Sequence, residues 1–184
     1  QYFNNNKLKA AVVAFIVTCS IFFIAYQSSA IFQYRVNEAV SNVINYKSNK
    51  QTSVGLRITF AINSLEVIKN NPILGVGTGD LPSEYAKVNQ KNTPSLPNTD
   101  NPHNMYILVL VQTGIVGLFS LLSIFYYQIK LSLNSQDKFI RDVGKSLPLL
   151  FLIIMLSESY LLGHFTSLMF VFFSSFLYKD FEKN

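Results

Sequence analysis

The chain has 184 residues, of which 49% are hydrophobic and 14% charged, and its net charge is +5. A charged fraction well below the roughly 25% of soluble domains argues against an ordinary soluble protein, and basic residues clustered beside apolar runs give no indication of nucleic-acid binding. One cysteine excludes an intrachain disulfide, and with only two histidines, far apart in the sequence, we expect no metal site and no cofactor. The chain begins at Gln1 rather than Met, and we expect it to be the C-terminal part of a longer protein.

Long stretches without charged residues predict four membrane helices. Residues 10–34 and 101–129 contain no Asp, Glu, Lys or Arg, and one span needs about 20 mostly apolar residues. Residues 146–178 contain one charged residue, Glu158, and Gly163-His164 near the middle predicts a turn between two short helices. The predicted spans are residues 9–29, 105–129, 147–162 and 165–178.

Basic residues orient these spans in the membrane. Lys7 and Lys9 precede the first span, the loop 130–146 carries four basic residues, and Lys179 and Lys183 follow the last span. Cytoplasmic segments are enriched in Lys and Arg, so the long intervening loop is predicted to face the other side. A cleaved signal peptide is the alternative for the first apolar run, but the later spans would still make the protein multipass. We therefore predict an all-α multipass membrane protein with the regions 1–30, 31–104 (a large, partly helical loop) and 105–184.

The loop is predicted to contain three helical segments. Residues 31–47 are expected to continue the first span as a helix, and Ser53 is expected to cap a second helix over about 55–69. A third, short helix near 82–90 starts at Pro82. The apolar residues of the second helix recur at three- and four-residue spacing and predict one apolar face: Ile58, Ala61, Ile62, Leu65 and Ile68.

Two glycine-containing segments are interpreted structurally. The stretch ILGVGTGD after Pro72 has no Lys-Ser/Thr and no strand–helix context, so it predicts a compact turn rather than a nucleotide-binding loop. The second span is interrupted by Gln112, Thr113, Gly114 and Gly117, and the small residues among them are predicted to permit close helix packing.

His103 stands where the loop meets the second span. Asn101 is a favoured N-cap and Pro102 suits the first helical position, so His103 is predicted in the first helical turn. The positive end of the helix dipole disfavours imidazolium there, which leaves a neutral ring that can act as a general base. The same helix end offers free N–H groups to a phosphate. On this residue alone, a histidine capping a helix at the interface is the simpler interpretation.

Three further residues could border the same site. Arg57, in the first turn of the loop helix, is able to bind phosphate or diphosphate through two hydrogen bonds. Glu158 is an ionisable residue inside a predicted span, where such residues usually face protein or water, and His164 lies at the following turn on the same side. The alternatives are an ordinary surface or headgroup-binding arginine and interfacial solvation of Glu158 and His164.

Taken together, RITFAINSLEVIKNNPILGVGTGD at 57–80 and the later NPHNMYILVLVQTGIVGL resemble the O-antigen ligase and polymerase superfamily of bacterial membrane glycosyltransferases. The shared pattern is an Arg that opens a loop helix, a Pro-Gly-rich segment, and a His-Asn pair entering a membrane helix. LSESYLLG at 156–163 also resembles the penultimate helix of the family. The sequence departs from the pattern at Asn101, where many members have a first His. It also departs at Ala61, where members often have an aromatic residue a few positions after the Arg; the alternative is that Phe60 takes this role one position earlier.

The resemblance implies an enzyme of the bacterial inner membrane with its large loop in the periplasm. Such enzymes move a glycan from an undecaprenyl-diphosphate carrier to a hydroxyl of lipid A-core, of another lipid-linked glycan, or of protein Ser or Thr. It implies a metal-independent, inverting transfer with His103 and Arg57 as catalytic residues, and with Asn104 beside His103. Asn104, Glu158 and His164 are the expected substrate-binding residues. Ligase, polymerase and protein-glycosylating members share these motifs, so the resemblance leaves the acceptor open.

The competing hypothesis is a non-enzymatic membrane module. A sensor or transporter with four helices and an extracytoplasmic ligand loop accounts equally well for the predicted topology. It does not account for the ordered succession of Arg57, the Pro-Gly segment and the His103-Asn104 pair.

Overall fold

The computed structural model describes residues 7–178, and every regular element in that range is helical, which confirms the all-α prediction. The chain divides into one unit ending at Gly55 and a second beginning at Leu56. The tail residues Lys179 and Lys183, which helped to orient the last predicted span, lie outside the described residues. The helices are α1 (Lys7–Ser28), α2 (Ala30–Ile44), α3 (Ser53–Asn70), α4 (Leu81–Asn92), α5 (Met105–Asn134), α6 (Lys138–Ile154) and α7 (His164–Leu177).

In the first unit, the chain stops being helical at Ser29 and starts a new helix. Ser29 adopts an extended conformation, and its hydroxyl accepts a hydrogen bond from the Phe32 amide, so it is the N-cap of α2. The prediction of a helix continuing from the first span into 31–47 was therefore wrong about the junction. Edge-to-face packing of Phe22 with Phe32 holds the end of α1 against α2.

The α3 helix begins two residues earlier than expected and buries a different face. Thr52, not Ser53, accepts the hydrogen bond from the Gly55 amide that closes the first turn. Ile62 and Leu65, which belong to the predicted apolar face, are 49% and 45% exposed. The buried residues of α3 instead include three polar ones, and the set is Gly55, Thr59, Phe60, Asn63, Ser64 and Val67.

A buried hydrogen-bond network explains why the polar residue Asn63 of α3 faces inward. The Asn63 side-chain amide donates to the Tyr85 hydroxyl and to Thr93 Oγ1, at 3.2 and 2.8 Å. Thr93 donates to Asn89 Oδ1, and the Asn89 amide donates to the Leu96 carbonyl. Because buried polar groups are costly only when unpaired, this network stabilises the α3–α4 pair and the loop that follows.

The second predicted span is the kinked helix α5. Gly114 leaves helical geometry at φ 63° and ψ −161°. The amides of residues 115 and 116 therefore do not bond to the carbonyls of residues 111 and 112, as they would in a continuous helix. The loop 72–77 fills this opening: the Val76 and Gly77 amides donate to the carbonyls of residues 111 and 112, and the amides of residues 115 and 116 donate to the Pro72 and Ile73 carbonyls. The two amides and two carbonyls of the opened turn are thereby satisfied.

Glycines permit this close approach of two backbones. Gly75 and Gly114 both have positive φ, and a Cβ on either one would collide with the backbone of the other segment. The predicted compact turn at 72–79 is confirmed, with positive φ at Gly75, Gly77 and Gly79. The prediction that Gly114 permits helix packing was wrong, because what approaches Gly114 is the loop backbone at Ile73.

The third predicted helix lies earlier in the chain than expected. Asp137 caps α6 by accepting hydrogen bonds from the Phe139 and Ile140 amides, so the helix starts at Lys138 rather than near 147. Most of the predicted loop 130–146 is therefore helical, and α6 ends at Ile154, which leaves Glu158 outside it. One 3-10 turn, Tyr160–Leu162, separates α6 from α7.

Two of the described helices, α1 and α5, are long and apolar enough to cross a membrane, and α7 is a shorter apolar helix. The other predicted spans and their orientation stay predictions.

Two apolar clusters organise the second unit. The first joins α3, α4 and the start of α5 through Phe60, Val67, Leu81, Tyr85, Val88, Leu108 and Val111. The second joins α5 beyond Gly114 to α6 through Phe125, Phe151 and Met155.

We expect Gly114→Ala to destabilise the protein more than Gly79→Ala. Both glycines have positive φ, so both substitutions carry backbone strain of about 1–2 kcal/mol. Only at Gly114 does the new Cβ also collide with the Ile73 carbonyl, which adds roughly 1–3 kcal/mol. Thermal unfolding in detergent micelles measures the difference. Equal losses for the two variants would show that the loop is not held in the α5 opening.

Candidate functional site

Glu158 brings two of the predicted site residues together. Its Oε2 lies 2.8 Å from His103 Nδ1 and 3.5 Å from Arg57 Nη2, and its Oε1 lies 3.0 Å from the same histidine nitrogen. Arg57 comes from α3, His103 from the segment before α5, and Glu158 from the segment after α6. We call these three residues the Arg57–Glu158–His103 cluster.

The Glu158 carboxylate is held in place by its own loop and by Asn101. The Ser159 amide donates to Oε1 at 2.9 Å, and the Asn101 side-chain amide donates to the same oxygen at 3.3 Å. Burial alone would raise the pKa of Glu158, but the hydrogen bonds from Ser159, His103 and Asn101 outweigh it and hold that pKa below its usual value. Glu158 is therefore an anion at neutral pH.

His103 lies before the helix rather than in its first turn, so the prediction for its position was wrong. Asn104 is the N-cap of α5: its side chain accepts a hydrogen bond from the Ile107 amide. Asn101 instead accepts from the His103 amide at 2.9 Å, which closes a turn that gives His103 a φ of +54°. His103 therefore precedes the helix, and the charged group in contact with its ring is the Glu158 carboxylate.

The His103 ring also packs on a buried aromatic residue. Phe60 stacks on it with ring centroids 6.2 Å apart and an interplanar angle of 21°. Phe60 in turn packs edge to face with Tyr85 in the core between α3 and α4. The histidine ring is thus fixed from one face by apolar packing and along one edge by a carboxylate.

This arrangement assigns the two ring nitrogens of His103. A carboxylate only accepts hydrogen bonds, so Nδ1 carries the hydrogen that points to Glu158. In the neutral ring, Nε2 is then the proton acceptor. No hydrogen bond among residues 7–178 engages Nε2, so it is able to take a proton from a bound hydroxyl group.

Arg57 has room to bind an anion. Its side chain is 51% exposed, and its contact with Glu158, at 3.5 Å, is a long one for an ion pair. Within residues 7–178 no side-chain hydrogen bond engages the guanidinium, so its N–H groups are able to pair with the oxygens of a diphosphate. Arg57 therefore combines a fixed location beside His103 with free hydrogen-bonding capacity.

The other two predicted site residues differ in position. Asn104 adjoins the cluster, but its side chain is engaged structurally: the oxygen caps α5, and the amide donates to the Leu156 carbonyl at 2.9 Å. His164 is exposed at the start of α7, and no side-chain contact among the described residues joins it to Glu158 or His103. Substrate contacts of Asn104 and His164 stay predictions.

The sequence analysis overlooked the residues that support the cluster. Asn101 was interpreted as a helix cap, although an Asn before a Pro also signals a local turn closed by its side chain. The Asn101 oxygen additionally accepts from the Ser159 hydroxyl, which links this turn to the Glu158 loop. Phe60 was considered only as a displaced aromatic position, and its stacking on His103 gives it a role.

We expect the stability conferred by Glu158 to disappear in acid. Its folded-state pKa is lowered, so its contribution is fully present above the ordinary Glu value and is lost as pH falls through the folded value. Glu158→Gln should cost roughly 1–2 kcal/mol at neutral pH and little at strongly acidic pH. Unfolding midpoints of both proteins across pH provide the measurement.

Glu84→Gln is the control, since Glu84 pairs with Lys87 one turn away on the surface of α4, where ion pairs contribute little. A difference between wild type and Glu158→Gln that stays constant down to acidic pH would contradict the proposed anion.

Comparison with known proteins identifies the family. A model of the family described as O-antigen ligase matches residues 2–122, a range that includes Arg57, the loop 72–77 and His103. The chain is also 31% identical over 144 residues to a protein of Haemophilus influenzae (strain ATCC 51907 / DSM 11121 / KW20 / Rd) that is described as uncharacterized. That match covers 73% of this chain and 35% of the relative, so the chain spans about a third of the relative's length. On the family match, the chain belongs to the O-antigen ligase family of membrane proteins.

Proposed function

We propose that this chain carries the catalytic site of a membrane glycosyltransferase that moves an oligo- or polysaccharide from undecaprenyl diphosphate to an acceptor hydroxyl. The observation that carries the proposal is the Arg57–Glu158–His103 cluster. It places a group suited to diphosphate beside a base oriented by a carboxylate. Family membership supports the same class of reaction.

Arg57 is proposed to bind the diphosphate of the donor. When the bond between the anomeric carbon and the diphosphate oxygen breaks, its electron pair stays on that oxygen, and negative charge develops there. A guanidinium already in place stabilises this charge without reorganising, which is a large contribution in many transfer reactions. Exposure of half of the Arg57 side chain supports access of a lipid-borne group to it.

His103 is proposed to remove the proton of the acceptor hydroxyl. The hydroxyl oxygen attacks the anomeric carbon from the side opposite the diphosphate, so the anomeric configuration inverts. Nε2 of His103 takes the proton, and the imidazolium that forms lies 2.8 Å from the Glu158 carboxylate. Glu158 is then a positioning residue that fixes the tautomer of His103 and stabilises its charged form, much as the carboxylate does in catalytic triads. The products are the glycosylated acceptor, undecaprenyl diphosphate and a proton on His103.

The proposal includes a location and partners. The site belongs to the bacterial inner membrane and faces the periplasm, on the region 31–104 and the segments that pack against it. The donor is an undecaprenyl-diphosphate-linked glycan, and the acceptor is lipid A-core for a ligase or a second lipid-linked glycan for a polymerase. Asn104 and His164 are proposed to contact the glycan, and the surrounding partner is membrane lipid.

The non-enzymatic alternative has less support. A sensor or transporter loop needs no carboxylate to orient one nitrogen of a histidine, nor a cation kept half exposed beside it. Both features favour proton transfer coupled to the departure of an anion.

We expect His103→Ala to lower the rate of glycan transfer by about 10²- to 10⁴-fold, the range for loss of a general base. Arg57→Ala should lower it by about 10²- to 10³-fold, with partial recovery in Arg57→Lys, because lysine restores charge but not the paired hydrogen bonds. Transfer is measured with the whole protein in proteoliposomes supplied with lipid-linked glycan.

Lys87→Ala is the control for loss of a cation, since Lys87 lies on the surface of α4 and pairs with Glu84. Unchanged transfer by His103→Ala would remove His103 from the mechanism. Transfer by Arg57→Ala at the control rate would remove Arg57.

A further inference from the structure

Two large apolar residues stand exposed at the tip of the loop 72–77. Ile73 and Leu74 are 63% and 71% exposed, and none of the described apolar clusters includes them. The neighbouring Val76, by contrast, packs against the cluster between α3, α4 and α5. The loop thus turns one apolar residue inward and two outward.

Backbone hydrogen bonds on both sides of Ile73 and Leu74 prevent these side chains from turning toward the protein interior. The Pro72 and Ile73 carbonyls accept from the Ile115 and Val116 amides at 2.9 and 3.3 Å. On the other side, Val76 and Gly77 donate to α5 carbonyls at 2.8 and 2.9 Å. With both flanks hydrogen-bonded to α5, the outward pair is a fixed feature of the surface rather than a mobile tip.

The exposed pair adjoins the apolar surface of a helix that is long enough to cross a membrane. The candidate span is α5 as a whole, and its charge-free part beyond the opening, residues 115–129, is about 22 Å long, less than the roughly 30 Å of a bilayer's hydrocarbon core. Val116 is exposed beside Ile73, and Phe119, one turn further, is 68% exposed. An unbroken apolar surface therefore runs from the loop tip onto the outer end of this segment.

We propose that Ile73 and Leu74 insert into the outer part of the bilayer's hydrocarbon core, beside α5 at Gly114. The occupant of this surface is lipid acyl chain, because the surface continues onto exposed apolar side chains of a helix that is long and apolar enough to cross a membrane. Residues 72–77 carry no charge, and four of their backbone polar groups are already paired with α5, which lowers the cost of entering the bilayer. This inference depends on membrane location and not on glycosyl transfer.

The insertion fixes the depth of the loop 72–77 in the bilayer. Residues 105–113, about 14 Å of helix, join the anchored opening at Gly114 to His103. The loop tip and this short helix together form a rigid connection between the bilayer surface and the cluster. A lipid-borne donor would then meet the cluster at a fixed height.

Tryptophan fluorescence tests the proposal directly, since the chain contains no tryptophan. The 184-residue chain carrying Leu74→Trp, or Ile73→Trp as a second reporter, is reconstituted into phosphatidylcholine vesicles brominated either near the headgroup or at the chain end. We expect loss of most of the fluorescence with the shallow bromines, a smaller loss with the deep ones, and little quenching by aqueous acrylamide.

Phe119→Trp and Lys87→Trp are the controls for a tryptophan in lipid and for a tryptophan in water. The first should be quenched by brominated lipid, and the second, on the α4 surface, by acrylamide. Quenching of Leu74→Trp by acrylamide to the extent of Lys87→Trp would place the tip in water and overturn the proposal. Quenching of Leu74→Trp by neither agent would mean that another protein segment covers the tip. Absence of quenching of Phe119→Trp by brominated lipid would show that α5 does not contact lipid at this position. Either result also overturns the proposal.

Discussion

Four backbone hydrogen bonds between the loop 72–77 and the opened turn of α5 organise the second unit. An opened turn leaves two amides and two carbonyls without partners, which is costly in protein and more costly in lipid. The loop supplies all four partners, and only glycine at 75 and 114 leaves space for it. Two segments forty residues apart in the sequence therefore depend on each other for their conformations.

The position of the cluster follows from this junction. The loop 72–77 follows the end of α3, and residues 105–113 begin at the other end of the α5 opening. The apolar cluster that contains Phe60, Val67, Leu108 and Val111 packs these two helices together. Arg57 and His103 lie at the opposite ends of these two helices. Because the loop 72–77 anchors α3 to α5 at one end, Arg57 and His103 are held close together at the other. Glu158 then needs only a short loop after α6 to reach both residues.

Much of this arrangement could be predicted from local signals, and what failed depended on tertiary contacts. The order of helices, the turn after Pro72 and the proximity of Glu158 to His103 follow from apolar runs, glycine spacing and predicted topology. Asn101 and Asn104 are equally good caps by residue type, and a hydrogen bond from Met105 to the Met155 carbonyl accompanies the later helix start. The buried face of α3 could not be predicted from hydrophobicity, because Asn63 faces partners on α4 that are polar as well.

The early start of α6 shows that the boundaries of a helix could not be predicted from hydropathy either. Hydropathy locates an apolar run and not a helix, so the charged first turns after Asp137 were assigned to a loop. Gly114 was recognised as a small residue in a span, but one sequence does not reveal which backbone approaches it. Those details require knowing which segments meet.

The stacking of Phe60 on His103 has a consequence for the entropy of the reaction. An imidazole on a loop would ordinarily sample several rotamers, and each encounter with a hydroxyl would have to select the productive one. Here Phe60 restricts the ring from one face, while Glu158 holds Nδ1 and the turn at Asn101 fixes the backbone. The rotational freedom of the proposed base is therefore lost when the protein folds and not when an acceptor binds, so in the proposed transfer less of the binding free energy is consumed in aligning the reactants.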